Sequence, residues 1–207
     1  MKPFSKWTIE EVEDEFEIVL DRQSDMLKKW MTIYSNPSEK DEKALNVLCE
    51  KLKDYVWDWN DEELKINFIA PLISLTDFDQ KKYKSFFSRE LILNYNNEKL
   101  WGFVDFMVAY GKRSPKRPFF LINQYKKEHD SSDDPLGQLM VAMVTAQKLN
   151  NDNNPIYGAY IMGRYWHFTL LYGQFYFVHT GLNAANEDIR HIFSVLKNTK
   201  EIIESLV

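Results

Sequence analysis

Two β-rich runs, WGFVDFMVAY (101–110) and PFFLINQYK (118–126), flank a seven-residue linker, GKRSPKR (111–117), with Gly and Pro turn signals. Such text specifies a hairpin. Side chains alternate across a strand, so Gln124 and Lys126, two residues apart, share a face. Antiparallel pairing can then set Asp105 of the first run beside them. An acid, an amide oxygen and an ammonium would converge on an otherwise apolar sheet. Taken alone, the trio reads first as an ordinary Asp105–Lys126 ion pair at a sheet end, with Gln124 a spectator.

The rest of the chain supplies helices before and after that hairpin. Residues 8–33 read as one long amphipathic helix, capped by Thr8 with Glu11 completing a capping box. A break at Asn36-Pro37-Ser38 precedes a second helix over 39–58. A third starts at the cap Asn60 and runs to about Leu75, with a kink or break expected at Pro71. Its first turn holds Asp61, Glu62 and Glu63, where the helix dipole favours acids without any chemistry. A first strand falls within 83–93, before a turn cluster of Asn94, Asn96 and Asn97. Residues 128–134 read as an acidic loop, and Asp134-Pro135 opens a helix over 135–149. Three aromatic strands follow at 156–162, 165–171 and 174–178, the last two a hairpin about Tyr172-Gly173. A final helix spans about 185–205. Trp7, Trp30, Trp57 and Trp59 read as core residues.

A chain of 207 residues at 44% hydrophobic suits one domain with a helical extension, or two small ones. The single Cys49 excludes an internal disulfide, and no apolar run is long enough to span a bilayer. The early acids argue against a signal peptide, so a soluble, cytoplasmic protein without a membrane partner is expected. Net charge is −5, which argues against a whole-surface nucleic-acid binder. Its distribution says more. Residues 1–66 carry 17 acids and 10 bases, whereas 111–127 carries Lys112, Arg113, Lys116, Arg117, Lys126 and Lys127 with no acid. That stretch could neutralise phosphates, although such a loop alone reads first as a solvated hairpin tip that discourages edge pairing.

His129, His167, His179 and His191 lack zinc-ligand spacing, and no Gly-rich phosphate loop or nucleophile elbow is present. Arg164, in GRYWHF, could grip a phosphate, though aromatic core strands are the commoner explanation.

An Asp on one strand followed about twenty residues later by an acid-x-Lys resembles the PD-(D/E)XK nuclease superfamily. Here it reads Gly102-Phe-Val-Asp105 and Gln124-Tyr125-Lys126, with Gln where that family most often has Glu. The flanks NDEELKINFIAPLI and DPLGQLMVAMVTAQKLN, and the opening WTIEEVEDEF, resemble a bacterial group with this nuclease-like core. The resemblance implies an α/β fold: a restriction-endonuclease-like core over 59–207, a mixed β-sheet flanked by helices, behind an N-terminal helical extension, 1–58.

It further implies Mg²⁺, or Mn²⁺ in its place, held by Asp105 and Gln124, with Lys126 orienting or deprotonating water. Glu62 is the leading helix acid, with Asp61 and Glu63 close behind. Nucleic acid, DNA before RNA, would be the partner, contacted by Lys112, Arg113, Lys116, Arg117, Lys127 and Gln138. A homodimer is allowed. Gln124 brings one less negative charge, which lowers metal affinity by roughly one to two orders of magnitude if a close charge term of ~1.5–3 kcal/mol is lost. Two functions stay open: a Mg²⁺-dependent nuclease of restriction or phage-defence type, or a decayed site on a binding or regulatory module.

Overall fold

The apolar residues of the first 32 positions serve two different cores, and that decides how the segment folds. Val12, Phe16 and Ile18 join one cluster, while Trp30 and Met31 join another. No straight helix can present one stripe to both. The computed structural model describes residues 2–32, 36–96, 98–129 and 134–207, and in it the helix expected over 8–33 is two helices with a strand between them. Helix α1 (Ile9–Phe16) has the expected capping box of Thr8 and Glu11 and ends at Glu17 in the left-handed region, φ 54°. Two residues later the chain adds a short strand to the sheet, and α2 (Asp25–Thr32) starts on the other face.

Helix α3 (Glu39–Tyr55) is capped by Ser38. Helix α4 (Asp61–Leu64) runs through a π-helical stretch, Lys65–Ile69, into α5 (Ala70–Thr76). The disturbance expected at Pro71 takes this form: proline has no N–H for the preceding turn, and a wider turn absorbs the loss.

Nine described strands form one mixed sheet: β1 (Lys2–Pro3), β2 (Val19–Leu20), β3 (Tyr83–Tyr95), β4 (Glu98–Tyr110), β5 (Lys116–Lys126), β6 (Ile156–Met162), β7 (Tyr165–Tyr172), β8 (Phe175–Val178) and β9 (Leu182–Asn183). Their order is β1-β4-β5-β6-β7-β8-β2, with β3 also on β4 and β9 also on β7. Strands β4 and β5 are antiparallel as expected, and β5 and β6 are parallel. The parallel pair requires a crossover, which α6 (Pro135–Asn150) provides. The β7–β8 hairpin turns at Gly173, φ 59°. Helix α7 (Asp188–Leu206) closes the chain. The acidic loop read over 128–134 falls mostly outside the described residues.

The chain is thus mixed α/β, with helices on both faces of a mixed sheet. Helices α2, α3, α5 and α7 cover one face; α6 and α1 cover the other. Every residue of α6 from Leu139 to Ala146 is buried, so this helix has no outer polar face to present. α1 lies over it. A Cβ at Gly137 would sit 2.5 Å from the Trp7 carbonyl oxygen, so only glycine permits this approach. Asp134 ties the two together, accepting from Gly137 N at 2.9 Å and Ile9 N at 2.7 Å. Among the described residues, no helix is long and apolar enough to cross a membrane.

Candidate functional site

Strand β3 pairs β4 along its whole length, so β1 and β5 must share β4's other edge. β1 takes Leu100 and Trp101, and the β5 ladder stops at Phe106 opposite Asn123. Between them, Gly102 to Asp105 has no strand partner on that side among the described residues. Two side chains bridge the opening instead. The Gln124 amide Nε2 donates to the Phe103 carbonyl at 3.1 Å, and Asp105 Oδ2 accepts from Tyr125 N at 2.9 Å.

The same point is a twist in the sheet. Phe106 and Val108 face one core while Leu100 and Val104 face the other, although all four are even-numbered. Alternation alone would keep them on one side. β3 changes face alongside, between Phe87 and Leu91, where Ser88 has φ 50°. Asp105 therefore sits where the strand reorients.

Helix α4 brings a second carboxylate. Asp61 Oδ1 accepts from Lys127 N at 2.7 Å, directly past the end of β5. Glu63 is committed to the capping box, accepting from Asn60 N at 2.9 Å. Glu62 is exposed and pairs with Lys65 at 3.2 Å. Of the three helix acids, Asp61 is the one whose charge reaches Asp105.

Burial raises the Asp105 pKa from 3.8 to about 6; the Tyr125 N–H and the Lys126 and Lys65 charges oppose the rise, and Asp61 adds to it. The Tyr125 hydroxyl is raised too, by burial first and then by Asp105, Glu62 and Asp61. A carboxyl whose folded pKa lies above its ordinary value is favoured protonated. Its stabilising contribution is complete below about pH 4 and is lost as pH rises through about 6. Asp105→Asn removes that loss and keeps an oxygen for the Tyr125 N–H. We expect this variant to be more stable than wild type by about 1–3 kcal/mol near pH 8, with no gain near pH 4. Thermal melts at the two pH values check this, and an equal difference at both would refute it.

The remaining expected residues divide between this place and others. Gln138, on α6, donates Nε2 to Gln124 Oε1 at 3.4 Å, and its own Oε1 is buried without a partner among the described residues. Lys127 borders a small cleft with Trp57, Trp59, Glu128 and His129. Lys112, Arg113, Lys116 and Arg117 lie at the opposite end of the hairpin, not beside the site. Five strand residues separate Asp105 from Tyr110, about 17 Å, and Lys116 is paired with Tyr110. The sequence showed their closeness along the chain, but extended strands carry neighbours apart.

Trp57, expected in the core, is 56% exposed, while Trp7 and Trp30 are buried. Arg164 is committed to Glu128 at 2.7 Å and lies 4.6 Å over the Trp57 ring. His129 rests 4.5 Å from the same ring. Of the other histidines, His167 stacks on Tyr160 and His191 Nε2 bonds the Met31 carbonyl. Asn123 was passed over in sequence: it is fully buried, and among the described residues neither of its amide atoms is bonded.

A divalent metal can be tested against these donors. Among the described residues, no three His, Cys, Asp or Glu side chains gather in a metal-binding group. Mg²⁺ asks for less: one or two carboxylates and hard neutral oxygens, with several waters retained. Asp105, Asp61, Gln124 and the unpartnered Gln138 Oε1 are all oxygen donors of that kind. By donor type these oxygens match a hard cation rather than zinc or a soft metal. No protein-family model matches this chain, and no curated protein matches it either.

Proposed function

We propose that the chain is a Mg²⁺-dependent nuclease of the PD-(D/E)XK type, cutting DNA phosphodiester bonds in the cytoplasm. The observation that carries this reading is the opening between β4 and β5, where the Asp105 carboxylate feels the charges of Lys126 on the next strand and of Asp61 at a helix end. Two carboxylates and an ammonium at a break in a sheet suit phosphoryl chemistry, which needs a cation, a positioned water and compensation of phosphate charge. Asp105, Asp61 and the Gln124 amide oxygen would hold Mg²⁺. When bound, Mg²⁺ makes a coordinated water more acidic and neutralises phosphate charge. Lys126 would orient the attacking water and offset charge on the phosphate. The opposite charge lacking at Gln124 is supplied by Asp61 in place of the more exposed Glu62.

A second reading has its own support. Gln124 is 2% exposed and uses both ends of its amide, donating to Phe103 and accepting from Gln138. Such a residue can be a structural strut, which favours a binding module on this frame. Gln124→Glu separates the two. It turns a carboxylate toward the Phe103 carbonyl, so stability should fall by about 1–3 kcal/mol. In a live nuclease the same change should lower the Mg²⁺ concentration for half-maximal cleavage by roughly tenfold or more, because it adds charge to the cage. Cleavage assays on duplex DNA with Mg²⁺ and Mn²⁺ decide. An inert wild type beside an active Gln124→Glu would point to the decayed module.

A further inference from the structure

The far end of the β4–β5 hairpin is not a plain solvated tip. A cleft of about 720 Å³ opens there, with Lys81, Lys82, Lys112, Arg113, Lys116 and Arg117 along its walls, Tyr110 among them, and no carboxylate among the described residues. Lys81 and Lys82 come from the segment before β3, so two separate parts of the chain bring cations to one concavity. Among the described residues, none of the six forms an ion pair with an Asp or Glu side chain.

The walls are also fixed in place. Register shifts at Val108/Ala109 and Ala109/Tyr110 curl the hairpin end. Gly111, φ 125°, lets the loop close on the Ser114 carbonyl, which a Cβ would strike at 2.1 Å. Arg117 donates to the Leu149 carbonyl at 2.9 Å, and Lys82 donates to the main-chain oxygen of Val207. Asn150 grips Phe119 by both its N–H and its carbonyl, each at 2.8 Å. β5 is thereby pinned to the end of α6.

Six like charges held around one hollow repel each other, and a ligand carrying several anions in a row relieves that repulsion. One phosphate would use one or two of them. We propose that this cleft is a second, remote site for a phosphodiester backbone, gripping nucleic acid away from the Asp105 opening. Backbone phosphates on one strand are spaced 3.4 Å along the duplex axis, so a separation of about 17 Å spans roughly five base pairs. The proposal rests on the nuclease reading only for where the bond is cut; the binding stands apart from it.

The test uses the full chain carrying Asp105→Asn, a labelled 20-base-pair duplex and anisotropy in EDTA between about 50 and 200 mM salt. Lys81→Gln, Lys112→Gln, Arg113→Gln and Lys116→Gln are combined, which leaves the bonds of Lys82 and Arg117 intact. We expect at least about tenfold weaker binding near 100 mM salt. The slope of log K against log salt should shrink by about 3–4, since each phosphate contact contributes about 0.9. Tripolyphosphate should compete with the duplex on the parent chain and not on the combined variant. Lys126→Ala should change the slope by about one contact at most.

Unchanged affinity and slope in the combined variant would overturn the proposal, even if the parent chain without Asp105→Asn cleaves DNA. Phosphatidylserine vesicles bound more tightly than the duplex would overturn it as well. Binding lost with the cleft charges, in a chain that cleaves nothing with Mg²⁺ or Mn²⁺, would uphold the cleft and remove the nuclease reading.

Discussion

Asp105→Ala and Lys126→Ala should each lower Mg²⁺-dependent DNA cleavage by about a hundredfold or more, and for different reasons. Removing Asp105 takes away the carboxylate at the β4–β5 opening, so both metal affinity and rate should fall. On the proposed nuclease reading, removing Lys126 takes away the ammonium that would position water and offset phosphate charge; metal affinity should hold or rise, because a nearby positive charge is gone. Measuring Mg²⁺ binding by calorimetry beside cleavage under single-turnover conditions separates the two effects. Loss of fold would be a trivial cause, and Asp105→Asn controls for it, since its oxygen can still accept from Tyr125 N. If either alanine variant cleaves as wild type does, the opening is not the catalytic centre.

How much of this could be read in the sequence depends on the range over which each signal acts. Local signals worked: the Thr8–Glu11 capping box, the Asn60 cap and the β7–β8 hairpin are set by residues within a few positions of each other. Period-2 text placed Asp105 and Lys126 on adjacent antiparallel strands. What failed needed distant partners. The stretch 8–33 keeps helical spacing throughout, yet its two halves face opposite cores, a fact that only the sheet between them decides. Trp57 looks like any core tryptophan until α4 and β5 meet and leave it outside, against His129 and Arg164. Glu62 and Asp61 are one residue apart in the first turn of one helix, and the 100° between them lets Asp61 accept from Lys127 N while Glu62 pairs with Lys65. The basic loop misled through sequence proximity, because extended strands put it far from Asp105.

The largest effect on folding should come from deleting residues 1–36. Read as a helical extension, this segment could be dispensable; its contacts make it part of both cores. It contributes Phe4, Trp7, Val12, Phe16, Ile18, Trp30 and Met31, all buried. At ~1.5–3 kcal/mol for each buried side chain, their loss amounts to roughly 10–20 kcal/mol, as large as the whole stability of a typical domain, ~5–15 kcal/mol. The damage is also specific. Phe4 fills the space over Gly102, where a Cβ would lie 2.4 Å from its ring, and β1 covers the β4 edge beside the Asp105 opening. Without α1, the buried run Leu139–Ala146 of α6 would face water. The chain starting at residue 37 should therefore show no cooperative thermal transition, with exposed apolar surface detectable by dye binding and aggregation on concentration. A milder variant tests the same junction without removing it: Gly137→Val should destabilise by about 3 kcal/mol or more, since the clash is with backbone that cannot rotate away. A 37–207 fragment that melts cooperatively near the wild-type temperature would show instead that the first 36 residues are an appendage.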